Sequence, residues 1–231
     1  MKKEVDQINA TPSKRIFSSI IADYDLNKSI CELIDNVLDI WLKTGRRRSV
    51  TIDIELEENQ QTIRVKDNAG GLKKSELHFI IGPGQTSNLE TDETIGIFGV
   101  GSKRAVVALS QDIRIITRYV KDKTYSVEFD DKWLGSEEWG LPVYQVEDIP
   151  EGTTVIELQK LRINLDSDNI SHLKEHLQVT YAKFLQNNSI KIKVGSELIK
   201  PAKFENWAYP PKYCPTRYSG SLHTADNSTV E

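Results

Sequence analysis

Two periodicities alternate along this chain. Across residues 28–43 the apolar positions Ile30, Leu33, Ile34, Val37, Leu38 and Trp41 recur at helical spacing, which predicts an amphipathic helix with one buried stripe. Asn27 is placed to cap its start and Gly45 to stop it. A shorter amphipathic helix is expected before it, over 13–24, after Pro12. Residues 50–56 and 62–65 alternate at period two around Glu57-Glu58-Asn59-Gln60, the pattern of a hairpin. Short helices are expected over 73–79 and 102–109, and strands over 112–119, 124–129, 141–146 and 153–158. Between them, residues 82–101 are glycine-rich and polar, and a loop that long in a compact domain is usually functional or disordered.

From Ser167 the pattern changes. Ile170, Leu173, Leu177, Tyr181, Phe184 and Leu185 mark one more amphipathic helix, and 190–194 with 197–199 read as a hairpin around Gly195-Ser196. From Pro201 onward the chain is Pro-rich and then drifts into Ser, Thr and Asn. The organisation expected is a domain over 1–165, followed by a helix, hairpin and tail over 166–231 that lead to a further domain outside this chain.

Composition adds limits. With 231 residues, 38% of them hydrophobic, the chain can bury a real core. A net charge of −4 argues against broad phosphate binding, although Arg46-Arg47-Arg48 leaves a local DNA contact open beside the simpler reading as a helix C-terminal cap. Cys31 and Cys214 show no metal-ligand spacing and no disulfide framework, which suits a reducing, cytoplasmic setting. No stretch approaches the roughly 18–20 apolar residues that cross a bilayer, and no membrane partner is expected.

Three motifs carry chemistry. Glu32, Asn36 and Asp39 are four and three apart, so they share one helix face beside the apolar stripe. A carboxylate there can take a proton from water, and an Asn oxygen is a hard ligand suited to Mg²⁺; alone, the trio also reads as a solvated face. Asp67-Asn68-Ala69-Gly70-Gly71 follows a strand, where glycines let the backbone approach a flat ligand; alone, it also reads as a plain turn. Gly96-Ile97-Phe98-Gly99-Val100-Gly101-Ser102-Lys103-Arg104 leads into a helix, and free N–H groups beside positive charge make a phosphate cradle. It fits neither the Walker spacing nor a dinucleotide-binding turn.

In this order the three resemble the GHKL superfamily of ATPases: gyrase B, the ninety-kilodalton heat-shock chaperones, histidine kinases and MutL-type repair proteins. Gly152-Thr153-Thr154 before a strand is similar to the superfamily's fourth motif, and Ile95 to Gly101 looks closest to the chaperone and MORC-like branches. The resemblance implies the Bergerat arrangement, an α/β fold with a mixed, mainly antiparallel sheet and helices on one face. It implies ATP and Mg²⁺ as ligands and slow hydrolysis that drives closure of 82–101 and a nucleotide-dependent homodimer of a larger protein. It also implies residue roles. Glu32 would be the general base, Asn36 the Mg²⁺ ligand and Asp39 an orienting acid. Asp67 would accept from the adenine amino group, with Gly71 under the base and Thr153 supporting through water. Gly96, Gly99, Val100, Gly101, Ser102 and Lys103 would wrap the phosphates. Ala69 stands where the superfamily usually has its first glycine. A protein kinase of the same superfamily and an ATP-binding module without turnover stay open, and phosphate release with and without Glu32 separates them.

Two signals are set aside. His172 and His176 match an inverted zinc-protease spacing, but no third-ligand motif follows, so an ordinary surface helix is expected. Trp133, Trp139 and Trp207 are expected to pack rather than to stack on a ligand.

Overall fold

A computed structural model describes residues 13–14, 17, 24–43, 49–80, 101–203, 222–223 and 229–230. The long amphipathic stripe becomes α1, Leu26–Lys43, which buries Leu26, Ile30, Leu33, Ile34, Val37, Leu38 and Trp41. Its cap is Asp25 rather than Asn27: the Asp25 carboxylate accepts from the Lys28 N–H at 2.7 Å, because the helix begins two residues earlier than the apolar period indicates. The expected hairpin forms as β1, Val50–Glu57, and β2, Thr62–Asp67. A 3₁₀ turn follows at Lys74–Ile80, then α2 at Gly101–Leu109 and β3 at Ser110–Arg118. Next come β4 at Thr124–Asp130, α3 at Asp131–Gly135, β5 at Val143–Gln145 and β6 at Thr153–Leu161. The chain continues through α4, Ser167–Thr180, α5, Ala182–Leu185, β7, Ile190–Val194, and β8, Glu197–Leu198.

Eight strands form one sheet in the order β5-β4-β3-β6-β2-β1-β7-β8. β1 and β7 pair parallel, and every other neighbour pair in that sheet is antiparallel. The sheet is therefore mixed and mainly antiparallel, as expected. Its two faces differ in chemistry. On one, Ile52, Ile54, Ile63, Val65, Ile113 and Leu158 are buried in a core shared with α1 and α4. On the other, cross-strand neighbours alternate in charge over five strands. Arg64 pairs with Glu55 at 3.2 Å and Glu157 at 3.4 Å, and Arg114 pairs with Glu157 at 3.4 Å and Glu128 at 3.0 Å. Period-two alternation puts one set inward and the other in water, and opposite charges directly across strands stabilise this register.

By its contacts the chain divides into two compact units, Met1–Pro201 and Ala202–Glu231. Residues 166–199 belong to the first: β7 extends the sheet beside β1, and Leu173 and Leu177 of α4 are fully buried. Asp166 and Asn169 form a capping box at the start of α4. The single helix expected over this stretch is broken at Tyr181, whose side chain is drawn to α1. In the second unit, β9, Leu222–His223, pairs with β10, Thr229–Val230.

One further feature differs from the sequence pattern. The short helix α3 has no apolar period; the Asp130 carboxylate starts it by accepting from the Trp133 N–H at 3.0 Å. Trp133 packs edge-on against Phe129, with ring centres 5.5 Å apart, and lies 6.1 Å from Trp139, so both packing expectations hold for these tryptophans. Trp207, Cys214 and Arg46 to Arg48 lie outside the described residues. His172 and His176 are exposed on α4. Among the described residues no helix is long and apolar enough to cross a membrane.

Candidate functional site

The turn after β2 is built by its backbone. The Asp67 carboxylate accepts from the Ala69 N–H at 2.9 Å, a local turn that Asp makes readily. The left-handed or near-left-handed values fall on Gly70, φ 157°, and Gly71, φ 67°, and Ala69 is not among the positive-φ residues. The Ala69 methyl is thus accommodated without backbone strain. Gly71 tolerates no side chain, because a Cβ there would lie 2.2 Å from the Arg118 carbonyl oxygen at the end of β3. Gly152 completes the clasp: its N–H donates to the Arg118 carbonyl at 2.8 Å, and its carbonyl accepts from Gly70 N–H at 2.9 Å.

Polar side chains line the strand ends here. Thr117 is fully buried, accepts from the Leu72 N–H at 2.9 Å and lies 3.1 Å from the Thr154 hydroxyl. Asp67 pairs in register with Thr154, and Thr154 with Thr117, so these three share a face. Thr153 is buried one position away and pairs with Arg118. Thr117 belongs to no motif; its signal in the sequence is one hydroxyl following Ile113 and Ile115 at the inward positions of β3.

Burial sets the electrostatics. Asp67 is removed from water, which pushes its carboxyl up to about 7 against the opposing pull of the Ala69 N–H. Lys103, 4% exposed near the start of α2, is pushed down to about 8 by the same desolvation. Both groups are held where their charged forms gain from a partner of opposite polarity.

The α1 face is adjacent. Glu32 and Asn36 are half-buried, and Asp39 is buried. Gly70 approaches α1 directly, since a Cβ there would lie 3.5 Å from Ile40 Cγ2, next to Asp39 in the chain. α1 also packs against α2. The Tyr24 hydroxyl donates to Glu32 Oε1 at 3.2 Å, and Arg104 of α2 reaches the same hydroxyl. The structure therefore brings the α1 face, the Asp67–Gly71 turn and the first turn of α2 into one neighbourhood. Gly96, Gly99 and Val100 lie outside the described residues; Gly101 and Ser102 open α2. Among the described residues a shallow depression of about 590 Å³ lies beside the turn, between Lys73-Lys74 and Tyr119 to Asp122, and holds none of these groups.

The family model of histidine kinase-, DNA gyrase B- and HSP90-like ATPases matches residues 24–172. The chain belongs to this family. Within this GHKL-type family, solved structures similar to the chain include the ATPase region of Saccharomyces cerevisiae topoisomerase II. In its form bound to ICRF-187 (dexrazoxane), the identity is 18% and the TM-score 0.57, over 76% of this chain and 49% of that one. A second structure of the same region gives 19% identity and a TM-score of 0.57, with the same coverage. The ATPase and transducer domains of topoisomerase II from Balamuthia mandrillaris give 16% and 0.58, over 76% and 48%. This GHKL-type chain spans about half the length of those structures, and at such identity the likeness is one of fold. No curated protein sequence matches it.

Proposed function

We propose that this GHKL-type domain binds Mg·ATP and hydrolyses it slowly, with Glu32 as the general base. The observation that carries the reading is the meeting of three motifs far apart in the chain: Glu32 and Asn36 on α1, the Asp67–Gly71 turn against Ile40, and α2 packed on the same helix. Asp67 accepts from the adenine amino group, and Gly71 lies under the base. Thr153 supports it through water, beside the Thr117–Thr154 hydroxyl pair. The phosphates meet the N–H groups at the start of α2, with Lys103 near them and Gly96, Gly99, Val100, Gly101 and Ser102 wrapping them.

In the reaction, a water oxygen bonds to the γ-phosphorus as the bridging oxygen between β and γ leaves, and the water proton passes to Glu32. The half-buried Asn36 amide, with carboxylates on the same face, offers the hard oxygen donors that Mg²⁺ takes alongside phosphate oxygens; Asn36 would hold it, and bound there it would neutralise phosphate charge. Asp39 orients this face.

Residues 1–165 carry the site, 166–201 complete its sheet, and the remainder leads toward a further domain. Closure of 82–101 over ATP then favours a homodimer of the longer protein, in a reducing cytoplasm. The test is phosphate release by wild type and Glu32→Ala, with ATP binding followed by calorimetry. The variant should bind ATP nearly as wild type does, with turnover cut by about 10²-fold or more, since general-base catalysis contributes roughly 10²–10⁴. A wild type that binds without turnover supports a binding module instead; label transferred to protein supports a kinase.

A further inference from the structure

Tyr24 lies just outside α1, and the Asp25 cap that starts the helix fixes where it sits. From there its hydroxyl donates to Glu32 Oε1 at 3.2 Å, across eight residues of chain. A phenol has one proton to donate and two lone pairs to accept with, so the same oxygen can also take a bond from the Arg104 guanidinium, which reaches it from α2. One hydroxyl thus touches an α1 carboxylate and a cation from the first turn of the helix that follows the glycine motif.

We infer that Tyr24 is a positioning residue for hydrolysis, holding the Glu32 carboxylate in one orientation and tying it to α2 through Arg104. This rests on the reading of Glu32 as the base. A half-buried glutamate on a helix face has several rotamers open to it, and only some aim an oxygen at a water in line with the γ-phosphorus. A bond from a rigid, two-torsion side chain narrows that choice. Burial and the Glu32 charge hold the Tyr24 phenol above its ordinary range, so the donor proton stays in place at neutral pH. Because Arg104 is on α2, any shift of that helix as phosphate docks at its N-terminus is passed to the base through this hydroxyl.

The experiment compares kcat, KM for ATP and the thermal midpoint for the 231-residue chain, Tyr24→Phe and Glu32→Ala. Tyr24→Phe removes only the hydroxyl and should lower kcat roughly tenfold, the size of one charge-assisted bond, with KM and midpoint unchanged. Difluorotyrosine at position 24 provides a second readout that does not depend on the Phe variant folding. Its phenol is more acidic than tyrosine's in the same site, so kcat should begin to fall at a lower pH than in wild type. An unchanged kcat in Tyr24→Phe, a loss confined to KM, or parallel pH profiles overturns the positioning role while leaving Glu32 as base if Glu32→Ala is inactive. Hydrolysis that survives Glu32→Ala overturns both.

Discussion

Asp67 is a carboxyl in a place that disfavours its charge. Burial raises it from its ordinary 3.8 to about 7. Between those values the folded chain holds a proton that the unfolded chain has released. The stability contributed by this group is therefore complete below the lower value and lost as pH rises through the upper one. Without nucleotide, stability should fall by up to about 1.4 kcal/mol per pH unit between roughly pH 4 and 7 on account of this residue. Chemical denaturation of wild type and Asp67→Asn across that range checks it; the Asn variant should lack this slope. ATP should release a proton on binding near pH 6.5, because an amino donor favours the ionised carboxylate. Calorimetry in buffers of different ionisation enthalpy reads that proton. Equal affinity for ATP and GTP in wild type would contradict the role given to Asp67, and Asp67→Asn should weaken ATP by about 1.5–3 kcal/mol.

At the scale of elements, α1 carries its polar residues to two neighbours. Glu32 accepts from the Tyr24 hydroxyl at 3.2 Å, while Asp35 accepts from the Tyr181 hydroxyl at 2.7 Å, which also lies 3.0 Å from the Cys31 carbonyl oxygen. Burial, opposed by this bond, leaves the Asp35 carboxyl raised, and nearby Glu32 and Asp39 raise it further. Tyr181 ends α4 there, which is why an apolar period running from Ile170 to Leu185 becomes two helices. Tyr181→Phe leaves Asp35 without its donor and should cost about 1–3 kcal/mol of stability, measurable as a lowered denaturant midpoint. A midpoint within error of wild type would show that α4 is held on α1 by its aliphatic contacts alone.

At the scale of the molecule, β7 decides how much chain the fold needs. Ile190, Ile192 and Val194 are almost wholly buried beside β1, and Leu173, Leu177 and Tyr181 fill the core behind α1. A chain ending at residue 165 should show no cooperative thermal transition by circular dichroism, whereas one ending at 201 should melt close to the full chain. Cooperative melting of the shorter form would make 166–199 an accessory. Light scattering of the chain with a non-hydrolysable ATP analogue addresses the proposed dimer; weak or no dimer is expected for this length alone, because little interface is available to bury.

Local order in the sequence was enough for most of the elements, though not for α3 or the break at Tyr181: the 3.6-residue stripe of α1 and the two-residue alternation of β1, β2, β3, β4 and β6 each record which side faces a core. It was also enough to point to Glu32, Asn36, Asp67 and Lys103 as candidates, because their types and spacing carry a motif. Tertiary structure alone decided what depends on distant partners. The parallel pairing of β1 with β7 joins residues some 140 positions apart, and no local period encodes a partner. Thr117 becomes part of the turn only when Leu72 and Thr154 arrive beside it. Tyr24 gains a role only when α1 places Glu32 beneath its hydroxyl, and Asp67 and Lys103 acquire shifted proton affinities only once the core has excluded water around them. Side-chain type is written in the chain; desolvation and proximity exist only in the folded molecule.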